Sequence, residues 1–372
     1  MQERPVEENE QVGCLLEQGF TRGLAQAVYR HCKKAFVQRY WIVDNSGSMI
    51  TFDGRKLVET KKKNQIKWVP CTRWEELKEC VTYHAQMAAL LQAPTKFILL
   101  NPPRNLPQSY DVAEMGPDMM EEELQSIFNV LSDSHPSGVT PLARHLQDIY
   151  KMLVPLQDSL RRQGQQVVVC LATDGLPTDA QGHTGAHIRA EFERALQKLL
   201  HDMPVWMVIR LCTDEDEILK YYEKLDADLE LNLEVLDDYL GEAKEVNQYN
   251  PWLTYGLPLH RCREMGFHHR LLDLLDERKL TLDEVSDFIQ LLFGESVTRC
   301  DPHADWEGFV NALKQITLRE NESTYNPNRK RIEPWISVRQ LERSYGPNQN
   351  RVYWMAIIAI IMFAVIIQLF FK

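Results

Sequence analysis

Three short segments of this chain offer oxygen ligands in places suited to a metal ion. The first is Tyr40-Trp41-Ile42-Val43-Asp44-Asn45-Ser46-Gly47-Ser48-Met49. An apolar run ends in Asp44, and the next turn presents hydroxyls at alternate positions, Ser46 and Ser48. Gly47 between them lets the turn bend tightly. The second segment, Ser137-Gly138-Val139-Thr140-Pro141-Leu142, places a threonine in a loop before a helix that has Pro141 at its first position. The third, Leu171-Ala172-Thr173-Asp174-Gly175, is again an apolar run ending in an aspartate. The candidate ligands are therefore Asp44, Ser46, Ser48, Thr140 and Asp174. All are oxygen, with no imidazole or thiolate among them. A set this hard favours Mg²⁺, or Mn²⁺, over zinc or copper. Asp44 and Asp174 are the only charges such a set brings against the ion.

The flanking pattern supplies elements that can bring these segments together. Apolar strand candidates (Arg39–Asp44, Lys96–Leu100, Gln166–Thr173, Val205–Cys212, Leu233–Leu236) alternate with helical ones. The helical ones are Trp74–Gln92, Met119–Leu131, Pro141–Leu156, His187–His201 and Glu215–Leu225, and Ser109–Glu114 reads as a short edge strand. Continuously apolar strands such as Val167–Ala172 belong in a sheet covered on both faces. The expected fold class is α/β: a doubly wound, mostly parallel sheet over residues 37–245. In such a sheet ligands bind beyond the carboxyl ends of the strands, where Asp44 and Asp174 fall.

The combination resembles the von Willebrand factor A domain with its metal-ion-dependent adhesion site. That family is marked by Asp-x-Ser-x-Ser after the first strand, a distant Thr, and Asp-Gly after a later strand. The resemblance covers roughly Val37 to Gly241. It implies that Ser46, Ser48 and Thr140 bind the ion directly or nearly so, and that the aspartates bind directly or through water. It also implies one open coordination position that a partner's Asp or Glu carboxylate can fill. On that reading the chain is a protein-binding module and not an enzyme, with no catalytic residues and no organic cofactor. A regulatory subunit of a separate ATPase or ligase is the alternative. An enzyme using Asp44 as a nucleophile is a third reading, but Ser46 stands where dehalogenase-like enzymes want a second aspartate.

Other motifs are missing. There is no Gly-x-x-x-x-Gly-Lys-Ser/Thr phosphate loop, no Gly-x-Gly-x-x-Gly before a helix, and no Gly-x-Ser-x-Gly elbow. His260, Cys262, His268 and His269 gather without zinc-ligand spacing and read as a surface cluster. His183 and His187 read as exposed. Lys61–Lys63 and Glu121–Glu123 read as solvated faces, the lysines in a long loop after the metal turn.

Residues 246–320 show helical patterns and no convincing strand, so a small helical domain is expected there. Residues 321–351 read as a polar linker, and residues 1–36 as an N-terminal segment with one amphipathic helix from Cys14 to Phe36. Val352–Phe371 contains no charged residue and is about 30 Å long as a helix, enough to span a bilayer core. Arg329, Lys330, Arg331, Arg339, Arg343 and Arg351 precede it, which places the bulk of the chain on the cytosolic side. With no N-terminal signal, the span reads as a single-pass tail anchor, with endoplasmic reticulum favoured over the mitochondrial outer membrane. The net charge of −11 argues against non-specific nucleic-acid binding. Eight cysteines without a CxxC pair suit a reducing compartment.

Overall fold

The alternating pattern folds as a mostly parallel α/β sheet in the computed structural model, which describes residues 6–59, 66–229, 232–294, 300–319 and 323–347. The first eight strands are β1 (Phe36–Val43), β2 (Gly54–Glu59), β3 (Ile66–Cys71), β4 (Thr95–Leu99), β5 (Ser109–Val112), β6 (Gln166–Thr173), β7 (Val205–Leu211) and β8 (Leu233–Leu236). Six of them form one sheet in the order β5-β4-β1-β6-β7-β8. Only β5 runs antiparallel to its neighbour.

Helices α1 (Val6–Glu17) and α2 (Arg22–Lys34) precede the sheet. Within it come α3 (Arg73–Leu90), α4 (Met120–Asp133), α5 (Leu142–Leu153), α6 (Gln157–Gln163), α7 (Ala186–Asp202) and α8 (Asp216–Leu229). Then follow α9 (Tyr239–Tyr249), α10 (Leu257–Glu264), α11 (Arg270–Glu277), α12 (Leu282–Phe293) and α13 (Trp306–Arg319). Strand alternation sends Tyr40, Ile42, Val169, Leu171 and Ile209 to one face, where Leu146, Leu196 and Tyr222 of α5, α7 and α8 cover them. Trp41, Val43, Phe97, Cys170 and Val208 point the other way, onto Leu77 of α3 and Ile127 of α4. Burying each such side chain contributes roughly 1.5–3 kcal/mol, so a strand apolar on both sides is stable only between two helical layers.

Helix α10 belongs to that second layer as well. The Cys170 thiol donates to the Glu264 carbonyl (3.1 Å), and the backbone at Gly266 lies directly against Val168. The helices of residues 239–319 share one core with α1 and α2: Leu15, Leu24 and Val28 meet Trp252, Leu272, Phe288 and Phe309. Trp335 and Leu341 are buried in the same core.

Three local expectations change. The N-terminal amphipathic run is two helices, because the chain turns at Gly19 and Phe36 already begins β1. The long loop after the metal turn is largely the hairpin β2–β3, whose alternation was obscured by the lysine run and by Pro70. Lys61–Lys63 lie outside the described residues. Residues 323–345 are not a linker. They form a hairpin of β9 (Ser323–Asn326) and β10 (Arg331–Pro334), followed by α14 (Val338–Tyr345). The Trp335 carbonyl accepts from Thr254 N (2.8 Å), and Ser337 N donates to the Trp252 carbonyl (2.8 Å), so this segment is stitched to the helical layer. Its few apolar residues, Trp335, Ile336 and Leu341, do the anchoring, and they are too sparse to show a period.

The span expected at 352–371 lies outside the described residues. Among the described residues no helix is long and apolar enough to cross a membrane.

Candidate functional site

β1 and β6 are adjacent and parallel, so Asp44 and Asp174 emerge side by side at the same end of the sheet. Asp44 is fully buried. Its Oδ1 accepts from Ser46 N (2.8 Å), and its Oδ2 accepts from the Thr173 hydroxyl (2.6 Å). Both bonds fix the carboxylate against the turn. Ser46 Oγ and Ser48 Oγ are 3.0 Å apart, and Ser48 Oγ donates to Asp174 Oδ1 (2.7 Å) across 126 residues of chain.

The third loop is tied to the first by backbone bonds. Ser137 N donates to the Asn45 carbonyl (2.7 Å), and Gly47 N donates to the Gly138 carbonyl (3.2 Å). Gly47 therefore contributes through the bond of its N–H to Gly138; its φ is not positive. Gly138 is the conformationally demanding glycine. Its φ is +95°, and a Cβ there would lie 2.4 Å from Asn101 Oδ1. Asn101 clasps both loops: it exchanges bonds with Asn45 (2.9 and 2.7 Å) and with the Val139 backbone (2.8 and 3.2 Å). Thr140 is buried. Its N–H donates to Thr178 Oγ1 and its carbonyl accepts from Thr178 N, both at 2.9 Å. A Cβ on Gly175 would stand 3.7 Å from Thr140 Oγ1, so the hydroxyl faces the Asp174-Gly175 turn. All five sequence-derived residues thus come to one place.

A sixth residue was not anticipated. Arg73, the first residue of α3, is 3% exposed and reaches into the site. Its Nη1 donates to Asp174 Oδ2 (3.0 Å), its Nε and Nη2 grip Asp53 (2.8 and 2.6 Å), and Nη2 also reaches Glu215 (2.8 Å). The start of α3 is fixed by a capping box, in which Thr72 accepts from Glu75 N while the Glu75 carboxylate accepts from Thr72 N. Thr-Arg-Trp-Glu was a legible N-terminal signal. The destination of the arginine was not. Asp44 and Asp174 are therefore not the only charges at the site.

Burial, with Asp174 beside it, pushes the Asp44 carboxyl up to about 6. Burial also raises Asp174, opposed by Ser48 and Arg73. The bonds to Asp53 lead in holding Arg73 firmly charged. No cationic side chain among the described residues pairs with Asp44. Two buried carboxylates and three hydroxyls, all hard oxygen, are a donor set that fits Mg²⁺ or Mn²⁺.

The histidine cluster read as a surface feature is interior. His260 and Cys262 are buried, and His268 is half-buried and stacked on Trp206 at 3.9 Å. His183 and His187 are exposed. Glu123 of the acidic run is buried and accepts from Ala113 N and Met115 N (2.8 and 3.0 Å).

No protein-family model matches the chain, and no curated protein matches it.

Proposed function

We propose that this chain is a Mg²⁺-dependent protein-docking module of the von Willebrand factor A type, held at a membrane by residues 352–371 with its bulk in the cytosol. One observation carries the reading: the bond from Ser48 Oγ to Asp174 Oδ1, which joins the two strand-end motifs into one oxygen-lined site. Asp44, Ser46, Ser48, Thr140 and Asp174 would hold the ion. When bound, the ion supplies a positive centre for a partner's Asp or Glu carboxylate.

The chain's own residues prepare that encounter. Three ligands are neutral hydroxyls, so Asp44 and Asp174 do no more than balance a dication, and Arg73 already occupies Asp174. Thr173 and the Ser46 N–H keep Asp44 in one orientation. Arg73 offsets the charge of Asp174 and leaves the site more receptive to an incoming anion. Among the described residues, the hydrogen bonds to Asp44 come from a backbone N–H and a threonine hydroxyl.

The test is thermal unfolding of the full-length protein in detergent, with Mg²⁺ or with EDTA. A ligand that binds only the native state raises Tm by mass action. The wild type should shift with Mg²⁺ and Asp44→Ala should not. Equal behaviour of the two would remove the metal site.

A further inference from the structure

α3 and α10 face each other beneath the sheet, and each presents two side chains four residues apart. Those of α3 are Cys80 and His84; those of α10 are His260 and Glu264. Residues at this spacing share one helix face. The four are buried, none more than 3% exposed. Cys80 Sγ lies 3.4 Å from Glu264 Oε1, His84 Nε2 lies 2.9 Å from Glu264 Oε2, and His260 Nε2 lies 3.4 Å from Glu264 Oε1. Ligand atoms of Cys80, His84 and Glu264 all fall within 4.8 Å of one another, and His260 adjoins this trio through Glu264. A tetrahedral ion with donors at about 2.0–2.3 Å needs donor–donor spacings of roughly 3.3–3.7 Å.

We infer that Cys80, His84, His260 and Glu264 form a second metal site, for Zn²⁺ or a similar borderline divalent ion. The donor chemistry separates it from the oxygen site. One sulfur, two imidazole nitrogens and one carboxylate suit zinc and suit magnesium poorly. His260 Nε2 is buried and aimed at the cluster; its nearest acceptor, Glu264 Oε1 at 3.4 Å, is not placed for a well-formed hydrogen bond. Its other nitrogen, Nδ1, lies 3.4 Å from the Tyr255 hydroxyl, which orients the ring as an outer partner does for a ligating histidine.

The surrounding charges are compatible with an ion. Arg210 Nε and Arg261 Nη1 donate to Glu264 (3.3 and 2.9 Å). Such donors can remain on the outer lone pairs of a ligating carboxylate. A cleft of about 40 Å³ between the β2–β3 hairpin, α3 and α10 reaches Cys80, His260 and Glu264, and Glu76 and Glu79 also line it. On binding, the Cys80 thiol gives its proton to solvent and the sulfur bonds the ion. The dication and the guanidiniums of Arg210 and Arg261 then face the thiolate and the carboxylates of Glu264, Glu76 and Glu79, with Arg55, Lys56 and Asp238 further along the same cleft. With four protein ligands the site is closed, so its effect is structural: it clamps the helical layer to α3, the helix that begins at Arg73.

The full-length protein should be purified in detergent, without chelator, from zinc-supplemented cells, and its metal content measured. One zinc per folded chain is expected, lost in Cys80→Ser and in His260→Gln and retained in Asp44→Ala. Should those two variants fail to fold, cobalt loading of the wild type decides. A thiolate-to-cobalt charge-transfer band supports the site; its absence from folded, cobalt-treated wild type overturns it. Folded wild type without zinc would make the cluster a charge-balanced ion hub and overturn the inference. So would zinc bound equally by folded Cys80→Ser, which would point to surface histidines such as His183 and His187.

Discussion

Arg73 Nη1 stands 3.0 Å from Asp174 Oδ2, with both side chains essentially out of solvent. The pair links the first residue of α3 to the end of β6 and puts a fixed positive charge beside the proposed ion. At an effective dielectric near 20, two unit charges about 4 Å apart interact by about 4 kcal/mol. A guanidinium at this distance therefore opposes a dication and favours an anion. It also pairs with the partly exposed, solvent-screened Asp53 and Glu215, so its removal has a structural cost.

Arg73→Met should separate these effects. Mg²⁺ affinity should rise by about tenfold, because repulsion is relieved while every proposed ligand remains. Stability without metal should fall by about 3 kcal/mol, the usual result of leaving one buried carboxylate, here Asp174, unpaired. Calorimetric titration with Mg²⁺ and urea unfolding give the two numbers. Weaker Mg²⁺ binding would mean that Arg73 serves mainly to orient Asp174.

The sheet was legible because its central strands β6 and β7 are apolar on both faces and β6, β7 and β8 are each followed by a helix. The five oxygen residues were legible because they sit at strand ends or a helix start, where sequence position fixes spatial position. Arg73 was hidden for the opposite reason: a long side chain at a helix start can reach in many directions, and only the fold selects one. Cys80-x-x-x-His84 and His260-x-x-x-Glu264 are each visible as a helical pair, but nothing local says that the two faces meet. Residues 323–345 escaped because Trp335 and Leu341 gain their burial from helices distant in sequence. Polar composition there described the surface of a packed segment.

Asp237 offers a pH test of the edge beside β8. Burial, with Asp238 beside it, pushes its carboxyl up to about 7, against roughly 3.9 in an unfolded chain. Between those values the folded state keeps a proton that the unfolded state releases. This group's contribution to stability therefore falls as pH rises from about 4 to about 7, and the deficit persists above that. Asp237→Asn retains the oxygen that accepts from Asp238 N. It should melt with the wild type near pH 4 and about 2–4 °C above it near pH 8, a range that allows for the group's partial exposure. Identical melting curves near pH 8 would show that Asp237 is not held protonated.

Gly266→Ala tests the seating of the helical layer on the sheet. The backbone there has φ +87°, and an added Cβ would lie 2.6 Å and 2.7 Å from the two Val168 methyl carbons. Positive φ and overpacking each cost about 1–3 kcal/mol, so a loss of about 3 kcal/mol or more is expected. Denaturant unfolding measures it. A neutral substitution would mean that α10 and Val168 are not in contact.

Deleting residues 352–372 should release the protein from membranes into the soluble fraction, with the Mg²⁺-dependent shift in Tm unchanged. Carbonate extraction of the full chain and protease access from the cytosolic side check the anchor and its orientation. A truncated chain that still sediments with membranes would place the attachment elsewhere.

Thr140 offers the test of the proposed docking mechanism. Its hydroxyl faces the Asp174-Gly175 turn, while its backbone N–H and carbonyl are both engaged by Thr178. Thr140→Ala removes the hydroxyl and spares those backbone bonds, so the fold should survive. If that hydroxyl helps hold the ion and the ion meets a partner's carboxylate, three perturbations act on one contact: EDTA, Thr140→Ala, and a partner Asp or Glu changed to its amide. Each should weaken the complex. The partner substitution should cost about as much as removing the metal. The two losses together should not exceed either alone, because perturbations of a shared contact are not additive. Proximity labelling from the membrane-anchored protein, compared with Asp44→Ala, supplies the partner, and a double-mutant cycle with and without Mg²⁺ supplies the coupling. Additive losses would place the partner's carboxylate away from the ion, and undiminished binding in EDTA would leave the oxygen site without a part in docking.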